Sequence, residues 1–436
     1  MSTPVATLLP LSSLPGFQGA IDFLCWLDKT HQQGWQMLPI SGPIEQPYRN
    51  QGIGVASFFY DHQVPQKYRT WLLTYHDFLT ANQDWLLDFA LYQALSEHYQ
   101  TICWWQWPEE IASYNHHAVN LKRQELAKRI EVYLQEQYFL TNQLLQLKKA
   151  AAASGQLLLG DLPFYLGRES SLVWAHQELF MLPKTGELIL QSGVPSSKDE
   201  PFAAQYWGHP LYNWAGSKPD EIVAIFNTRL KFLANFFDLV RLDHANGFFR
   251  YGMMSLQNPH WSKKVPGPGE SAILAILMQA QKLNLGIYFE DLASESMRLE
   301  QFMKKYAVAG IEVLTLSVNL DQQAANSKTG HIKLKFPQKT ANKVLCTSTH
   351  DTLPLFPWVK SLNPKVKTNL AKVNHLPPNL SDEKLATALR EHVLQQKAKL
   401  IIVPWQDWHG ESWRLNTPGE ESLANWNYPV AIEKYL

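Results

Sequence analysis

The feature that most restricts what this chain can fold into is a repeated design. Short apolar runs end in a polar or acidic residue, and most are separated by segments long enough for a helix. Eight runs qualify as strand candidates: residues 35–40, 57–60, 157–163, 236–242, 286–291, 311–318, 344–351 and 400–407. Strands alternating with helical segments predict a parallel sheet with crossover helices. Eight such units predict an α/β fold, a (β/α)8 barrel, whose polar strand ends gather at one face.

The intervening segments carry helical signals. Residues 20–32 read as a helix before the first run. Ile222, Phe226, Leu230, Leu233 and Phe237 recur at helical spacing, with Ser217, Pro219 and Asp220 as start signals. Residues 65–154 look mostly helical: Leu126, Ile130, Tyr133, Leu134 and Tyr138 share a stripe that Leu144, Leu145 and Leu147 continue. The expectation is one barrel domain over residues 1–436, with a mainly helical insertion at 65–154.

Charge excludes some classes of partner. Lys+Arg and Asp+Glu are balanced at 39 each and no long basic run occurs, so neither nucleic acid nor an anionic membrane is an expected partner. Cys25, Cys103 and Cys346 are odd in number and widely spaced, which suits buried thiols in a reducing compartment and indicates no zinc site. No basic residue precedes Lys29 and no apolar stretch reaches membrane-spanning length. A soluble, cytoplasmic protein is expected. The aromatic content is unusual, with 16 tryptophans and 17 tyrosines. Trp174, Trp207, Trp214, Trp261, Trp358, Trp405, Trp408 and Trp426 fall in polar, Pro/Gly-rich segments, where flat faces with a polar edge suit a ligand such as a sugar chain.

A barrel would place Asp161, Asp243, Glu290, Asp351 and Asp407 around one rim. Each alone could be a helix cap or half of a salt bridge. Together with the loop aromatics they point to glycosyl transfer, which uses two carboxylates flanking the scissile bond. Arg241, two residues before Asp243 on the same strand face, would keep that carboxylate ionised as a nucleophile requires. Glu290 follows Tyr288 and Phe289, and desolvation there would raise its pKa toward the protonated state of an acid/base. His350 and Asp351 could hold sugar hydroxyls and a distorted ring. These residue types suit a retaining mechanism.

Several separate motifs resemble those of one family, the amylomaltases or 4-α-glucanotransferases (disproportionating enzymes), relatives of the α-amylases. Gly160-Asp-Leu-Pro-Phe-Tyr-Leu166 and Val173-Trp-Ala-His-Gln-Glu-Leu-Phe180 resemble its G-D-L-P-I-Y-V and V-W-A-N-P-E-L-F. Gln205-Tyr-Trp-Gly-His-Pro-Leu-Tyr212 resembles Q-x-W-G-N-P-x-Y. Arg241-Leu-Asp-His244 with Gly247-Phe248 resembles R-I-D-H-F-R-G-F, and Phe289-Glu-Asp-Leu292 resembles A-E-D-L. Thr349-His-Asp351 matches T-H-D, and Arg414-Leu-Asn-Thr-Pro-Gly419 resembles R-M-N-x-P-G. Leu11-Ser-Ser-Leu-Pro-Gly16 and Trp35-Gln-Met-Leu-Pro39 extend the likeness to the amino end. The resemblance implies Asp243 as nucleophile, Glu290 as general acid/base and Asp351 as transition-state stabiliser. It implies sugar contacts for Tyr48, Asp161, Gln205, Trp207, Arg241, His350 and Asn416. No metal or organic cofactor is implied; the implied partners are a maltodextrin or other α-1,4-glucan donor and a sugar acceptor.

Departures from the pattern concentrate in loops. Ile44-Glu45-Gln46 stands where the family has Gly-Asp-Ser, Ala245-Asn246 replaces Phe-Arg, Gly252 replaces a tryptophan, and Thr352-Leu353 replaces Asn-Asp. Residues 196–204 differ from the family's lid. These changes leave two alternatives open: an α-1,4-glucan hydrolase, and a non-catalytic glucan-binding descendant.

Overall fold

The computed structural model describes residues 3–61, 64–183, 186–195, 204–258, 261–292, 297–317, 341–420, 422 and 424–436. Twelve strands are defined among these: β1 (Val5–Leu8), β2 (Gly34–Gln36), β3 (Leu157–Leu162), β4 (Leu190–Val194), β5 (Gln205–Tyr206), β6 (Leu239–Leu242), β7 (Arg250–Ser255), β8 (Ser262–Pro266), β9 (Gly286–Phe289), β10 (Ala309–Val313), β11 (Lys343–Cys346) and β12 (Leu400–Pro404). Eight of them close a barrel in the order β1-β12-β11-β10-β9-β6-β3-β2. Read around the ring this is chain order, and every neighbouring pair is parallel. The predicted (β/α)8 barrel is the fold.

Side chains alternate along each strand, which divides the barrel into two cores. Leu159, Tyr288, Ile311, Val344, Cys346 and Ile402 pack together inside it. Leu158, Leu162, Val240, Leu242 and Phe289 face out and pack with residues of the helices.

One strand candidate was misplaced. Residues 57–60 form a 3-10 turn, Ser57–Phe59, whose Phe59 side chain is buried. The chain just before it cannot join a ladder, because the Gln137 amide takes both backbone groups of Val55 at 2.9 and 2.8 Å. The eighth strand is β1 at the amino end. Two other runs turn helical before their ends: 311–318 at Leu314, with Val318 outside the described residues, and 400–407 after Pro404.

Helix α1 (Gly16–Lys29) begins four residues before the expected position. Between β2 and β3 lie α2 (Tyr75–Ala81), α3 (Leu86–His98), α4 (Glu109–Ala112), α5 (His116–Glu125) and α6 (Ala127–Ala153). Of the predicted stripe, Ile130, Leu144 and Leu147 are buried, and Leu126, Tyr133, Leu134, Tyr138 and Leu145 are partly buried against the same core. A row of amides on α6 ties down the preceding loops. Asn142 accepts from the backbone of Leu72 and Leu73, and Gln143 donates to the Asp61 carbonyl. The later helices are α7 (Ser171–Ala175), α8 (Pro219–Leu233), α9 (Glu270–Lys282), α10 (Met297–Tyr306), α11 (Leu314–Ser317), α12 (Leu355–Ser361), α13 (Pro364–Val373), α14 (Asp382–Leu394) and α15 (Trp405–His409). Pro219 stands at the start of α8, as its signals predicted. No helix among the described residues is long and apolar enough to cross a membrane.

The four remaining strands form an antiparallel sheet, β5-β4-β7-β8. Gly193 on β4 lies opposite Gly252 on β7. A Cβ on Gly252 would stand 2.1 Å from the Gly193 carbonyl oxygen, so the tryptophan expected at 252 has no room on this backbone.

Asp407 is not on the rim. Because Pro404 turns the chain directly into α15, its carboxylate is buried and accepts from Thr347 Oγ1, from Ser348 Oγ at 2.7 Å and from the Leu355 N–H at 2.6 Å. It caps α12 and pins the end of β11. Asp407→Ala should therefore lower the unfolding free energy in urea by about 2–3 kcal/mol, since it strands three buried donors. A loss below about 0.5 kcal/mol would deny the cluster any structural part.

Candidate active site

Strand register gathers the polar groups. Asp161 on β3 pairs with Arg241 on β6, which pairs with Tyr288 on β9. One rung higher, the Asp243 N–H bonds the Leu162 carbonyl at 3.1 Å and the Glu290 N–H bonds the Leu242 carbonyl at 3.0 Å. The two carboxylates thus rise side by side from adjacent strands, at the carboxyl end of the barrel.

Arg241 is the hub. Its Nη1 lies 2.8 Å from Asp161 Oδ2 and 3.1 Å from the Tyr48 hydroxyl. Its Nη2 lies 2.8 Å from Asp243 Oδ1 and 3.8 Å from Glu290 Oε2. Laid end to end, 2.8 and 3.8 Å bound the separation of those two oxygens at about 6.6 Å. Retaining glycosidases place their carboxyl groups roughly 5–5.5 Å apart and inverting ones about 6.5–9.5 Å apart. The bound concerns one oxygen of each group, and the retaining separation falls inside it.

Tyr48 extends the network. Its hydroxyl donates to Asp161 Oδ2 at 2.8 Å and lies 3.1 Å from His350 Nε2. That nitrogen also lies 3.2 Å from Asp351 Oδ2. With acceptors on both sides, Nε2 must carry the imidazole proton. Asn416 donates to Asp351 Oδ1 at 2.6 Å, and its own N–H bonds the His350 carbonyl.

These surroundings give the carboxyls different protonation. Burial, helped by the Asp243 charge, pushes Glu290 up to about 7, against Arg241 and the His244 N–H. Burial pushes Asp161 up to about 6 against the pull of Arg241; with a guanidinium nitrogen at 2.8 Å it is a carboxylate at neutral pH. At Asp351 burial is outweighed by His350 and by the Asn416 hydrogen bond, which hold it at about 2.

The turn after Asp243 is tightly specified. His244 is left-handed, at φ 45° and ψ 44°, and leads into the 3-10 helix Ala245–Phe248. In that conformation its N–H donates to Glu290 Oε2 at 2.7 Å. A Cβ on Gly247 would lie 2.9 Å from His244 Cδ2 and 3.0 Å from the Phe164 ring. Ala245 and Asn246 are both buried in this turn.

The groups open onto a cavity of about 240 Å³. Of the ten predicted site residues, nine line it: Tyr48, Gln205, Trp207, Arg241, Asp243, Glu290, His350, Asp351 and Asn416. Asp161 stands behind this wall, its side chain fully buried. Trp207 donates to Gln205 Oε1 at 2.8 Å and meets the His244 ring edge-on at 5.0 Å. The expectation for loop tryptophans was too broad: Trp174, Trp405 and Trp426 are fully buried packing residues. Conversely, Tyr165 and His209, both within family-like motifs, line the cavity without being expected site residues, and so does Asn246, expected only as a departure from the family pattern. Burial lowers the His209 pKa to about 3, so its ring is neutral. Arg414, two residues before Asn416, donates to the Asp351 carbonyl. The expected lid difference at 196–204 lies, except for Ala204, outside the described residues.

A family model for glycoside hydrolase family 77, described as 4-alpha-glucanotransferase, matches residues 54–433. A 4-alpha-glucanotransferase of Synechocystis sp. is 30% identical over 362 residues, covering 81% of this chain and 68% of that protein. The chain belongs to the 4-alpha-glucanotransferase family. The chloroplastic/amyloplastic 4-alpha-glucanotransferase of Solanum tuberosum is 28% identical over 353 residues; the match takes in 79% of this chain and 58% of the potato protein. Among solved structures, the amylomaltase from Streptococcus agalactiae in complex with acarbose superposes with a TM-score of 0.84 at 22% identity. The match covers 100% of this chain and 96% of that one, which shows the same barrel.

For this 4-alpha-glucanotransferase family member, the Arg241 hub is testable without substrate. Arg241→Ala leaves Asp161 buried without its cation and should cost about 3–5 kcal/mol at pH 7. Asp161 would then fold protonated, with a pKa raised above its unfolded value of about 3.9. The penalty is present at neutral pH and shrinks as pH falls through the raised pKa. Urea unfolding at pH 7 and pH 5 checks this: a loss equal at both would show that the Asp161 charge is not its cause.

Proposed function

We propose that this enzyme transfers α-1,4-glucan segments from a maltodextrin donor to a sugar acceptor by a retaining double displacement. The observation that carries the reading is the single guanidinium nitrogen of Arg241 reaching both Asp243 and Glu290, at 2.8 and 3.8 Å. One carboxyl against the Arg241 guanidinium and a second raised to about 7 by burial, on adjacent strands, are the pair that this chemistry needs.

Asp243 attacks the anomeric carbon while the Glu290 carboxylic acid gives its proton to the leaving glycosidic oxygen. The products of this half-reaction are a glycosyl ester on Asp243, a free sugar hydroxyl and a Glu290 carboxylate. That carboxylate takes the proton of an incoming acceptor hydroxyl, whose oxygen displaces Asp243 and restores the starting configuration. Asp351, held ionised by His350 and Asn416, faces the positive charge that develops on the ring. Tyr48, Asp161, Arg241, His350, Gln205, Trp207 and Asn416 hold the sugar or the groups that touch it. Trp207, with its ring against His244, supplies an aromatic face to the acceptor side.

The whole chain is read as one barrel domain, with residues 65–154 as an insertion whose last helix, α6, packs against α1 and β3. A reducing, cytoplasmic setting is in keeping with the free thiols of Cys25, Cys103 and Cys346, although only Cys346 is buried as all three were expected to be.

Incubation with maltotriose separates the possible outcomes. Glucose with a ladder of longer oligosaccharides is expected. Glucose and maltose alone would mean hydrolysis, and binding without turnover would remove the enzymatic reading of this site. Asp243→Asn should abolish turnover in a folded protein; substantial residual activity would displace Asp243 as the nucleophile.

The pH profile follows from Glu290. The acid must be protonated in the free enzyme, so kcat/KM should hold below pH 7 and fall as pH rises through about 7. Glu290→Gln should remove this alkaline limb together with about 100-fold or more of the rate on maltotriose. An unchanged limb in that variant would assign it to another group.

A further inference from the structure

Asp291 immediately follows Glu290, does not line the cavity, and has no part in the chemistry above. Its side chain is 5% exposed. Backbone pairing between β9 and β10 ends at Phe289 opposite Gly310, one residue short of Glu290. The next link across that gap comes from a side chain: Asp291 Oδ1 accepts the Ile311 N–H at 2.8 Å. Its other oxygen, Oδ2, lies 2.8 Å from Lys343 Nζ on β11, and Lys343 is the register partner of Gly310. One carboxylate therefore ties the segment just after β9 to the middle of β10 and the start of β11.

The glycine at 310 belongs to the same device. A Cβ there would stand 2.2 Å from Asp291 Oδ2 and 2.5 Å from the Met303 terminal methyl. Strand β10 is bare where the carboxylate crosses it. Since neighbouring residues of an extended chain face opposite ways, Asp291 points out against β10 and the α10 side while Glu290 points in. Glu290 is held on its β6 side by its N–H on Leu242 and by the His244 N–H on its Oε2. On its β10 side the anchor is Asp291.

We infer that Asp291, braced by Lys343 and admitted by Gly310, is a positioning residue that fixes where Glu290 presents its proton. The inference rests on the acid/base reading of Glu290. A displacement of about 1 Å at such a group costs on the order of 100-fold in rate, so loosening one side of it should be visible.

The test compares two donors, maltotriose and α-maltotriosyl fluoride. Fluoride departs without a proton from the enzyme, so only the sugar leaving group depends on Glu290's placement. In Asp291→Asn, kcat/KM on maltotriose should fall about 30-fold or more while that on the fluoride changes less than about threefold. Lys343→Met, altered at the more exposed end of the pair, should discriminate the same way by a smaller factor, and it carries the test if the first variant does not fold. Glu290→Gln is the benchmark. If it discriminates between the donors and the Asp291 and Lys343 variants lose equally on both, or lose nothing, the inference is overturned alone. If Glu290→Gln itself loses equally on both donors, the acid/base reading falls and takes the inference with it.

Discussion

One buried guanidinium organises this barrel's carboxyl end. Arg241 faces three carboxyl groups, and its distances to them are unequal: 2.8 Å to Asp161, 2.8 Å to Asp243 and 3.8 Å to Glu290. A single positive charge cannot neutralise three negative ones in a poorly hydrated site, where each uncompensated charge is expensive. The most distant group is the one that keeps its proton. Burial is the main cause that makes Glu290 an acid near neutrality, and Arg241, in closer contact with Asp161 and Asp243, offsets it only in part. Asp161, which never meets the cavity, draws Arg241 inward and so takes part in setting the proton on a residue of another strand.

That division depends on register. Because the barrel is parallel and in chain order, equivalent rungs of β3, β6 and β9 stand at one height. A slip of one residue in β6 would turn Arg241 out into the helices and bring Val240 and Leu242 into the site. Their burial against Phe226 and Phe237 in the outer core opposes such a slip. The hydrophobic alternation that forms the barrel is therefore also what aligns its charges.

The barrel was legible in the sequence because apolar runs capped by polar residues are what a doubly covered parallel strand looks like. Seven of the eight runs fall on barrel strands. The eighth strand, Val5–Leu8, was illegible for a local reason: it takes only four of the five residues between Pro4 and Pro10, and only pairing with β12 and β2 makes them a strand. Residues 57–60 carry strand-like composition, but tertiary bonds from Gln137 override it. In the site, Arg241, Asp243, Glu290 and Asp351 were named from the sequence, and the structure brings them together at one cavity. Asp407 shows the limit: an aspartate ending a strand has the same signature whether it faces a cavity or caps a helix, and only Pro404 and the position of α12 decide. Asp291, Gly310 and Lys343 were illegible because their meaning lies in contacts across three strands.

The departures from the family pattern also acquire a physical order. Tyr48 joins two halves of the site, since its hydroxyl touches both Asp161 and His350, and it comes from the loop after β2. The ends of that loop are fixed. A Cβ on Gly42 would lie 2.1 Å from the Pro47 carbonyl oxygen, and Asn50 donates to the Tyr48 carbonyl at 2.8 Å. Ile44, Glu45 and Gln46 sit between these fixed points, and Gln46 lines the cavity. The same holds at the sheet, where Gly252 and Gly193 meet so closely that backbone alone fills the space. Sequence change has been accepted at the loop tip, in the wall of the cleft and in the buried turn at Ala245 and Asn246. Positions that hold Tyr48, Arg241 and Glu290 in one charge network leave no such freedom, because moving any one of them redistributes charge among the others.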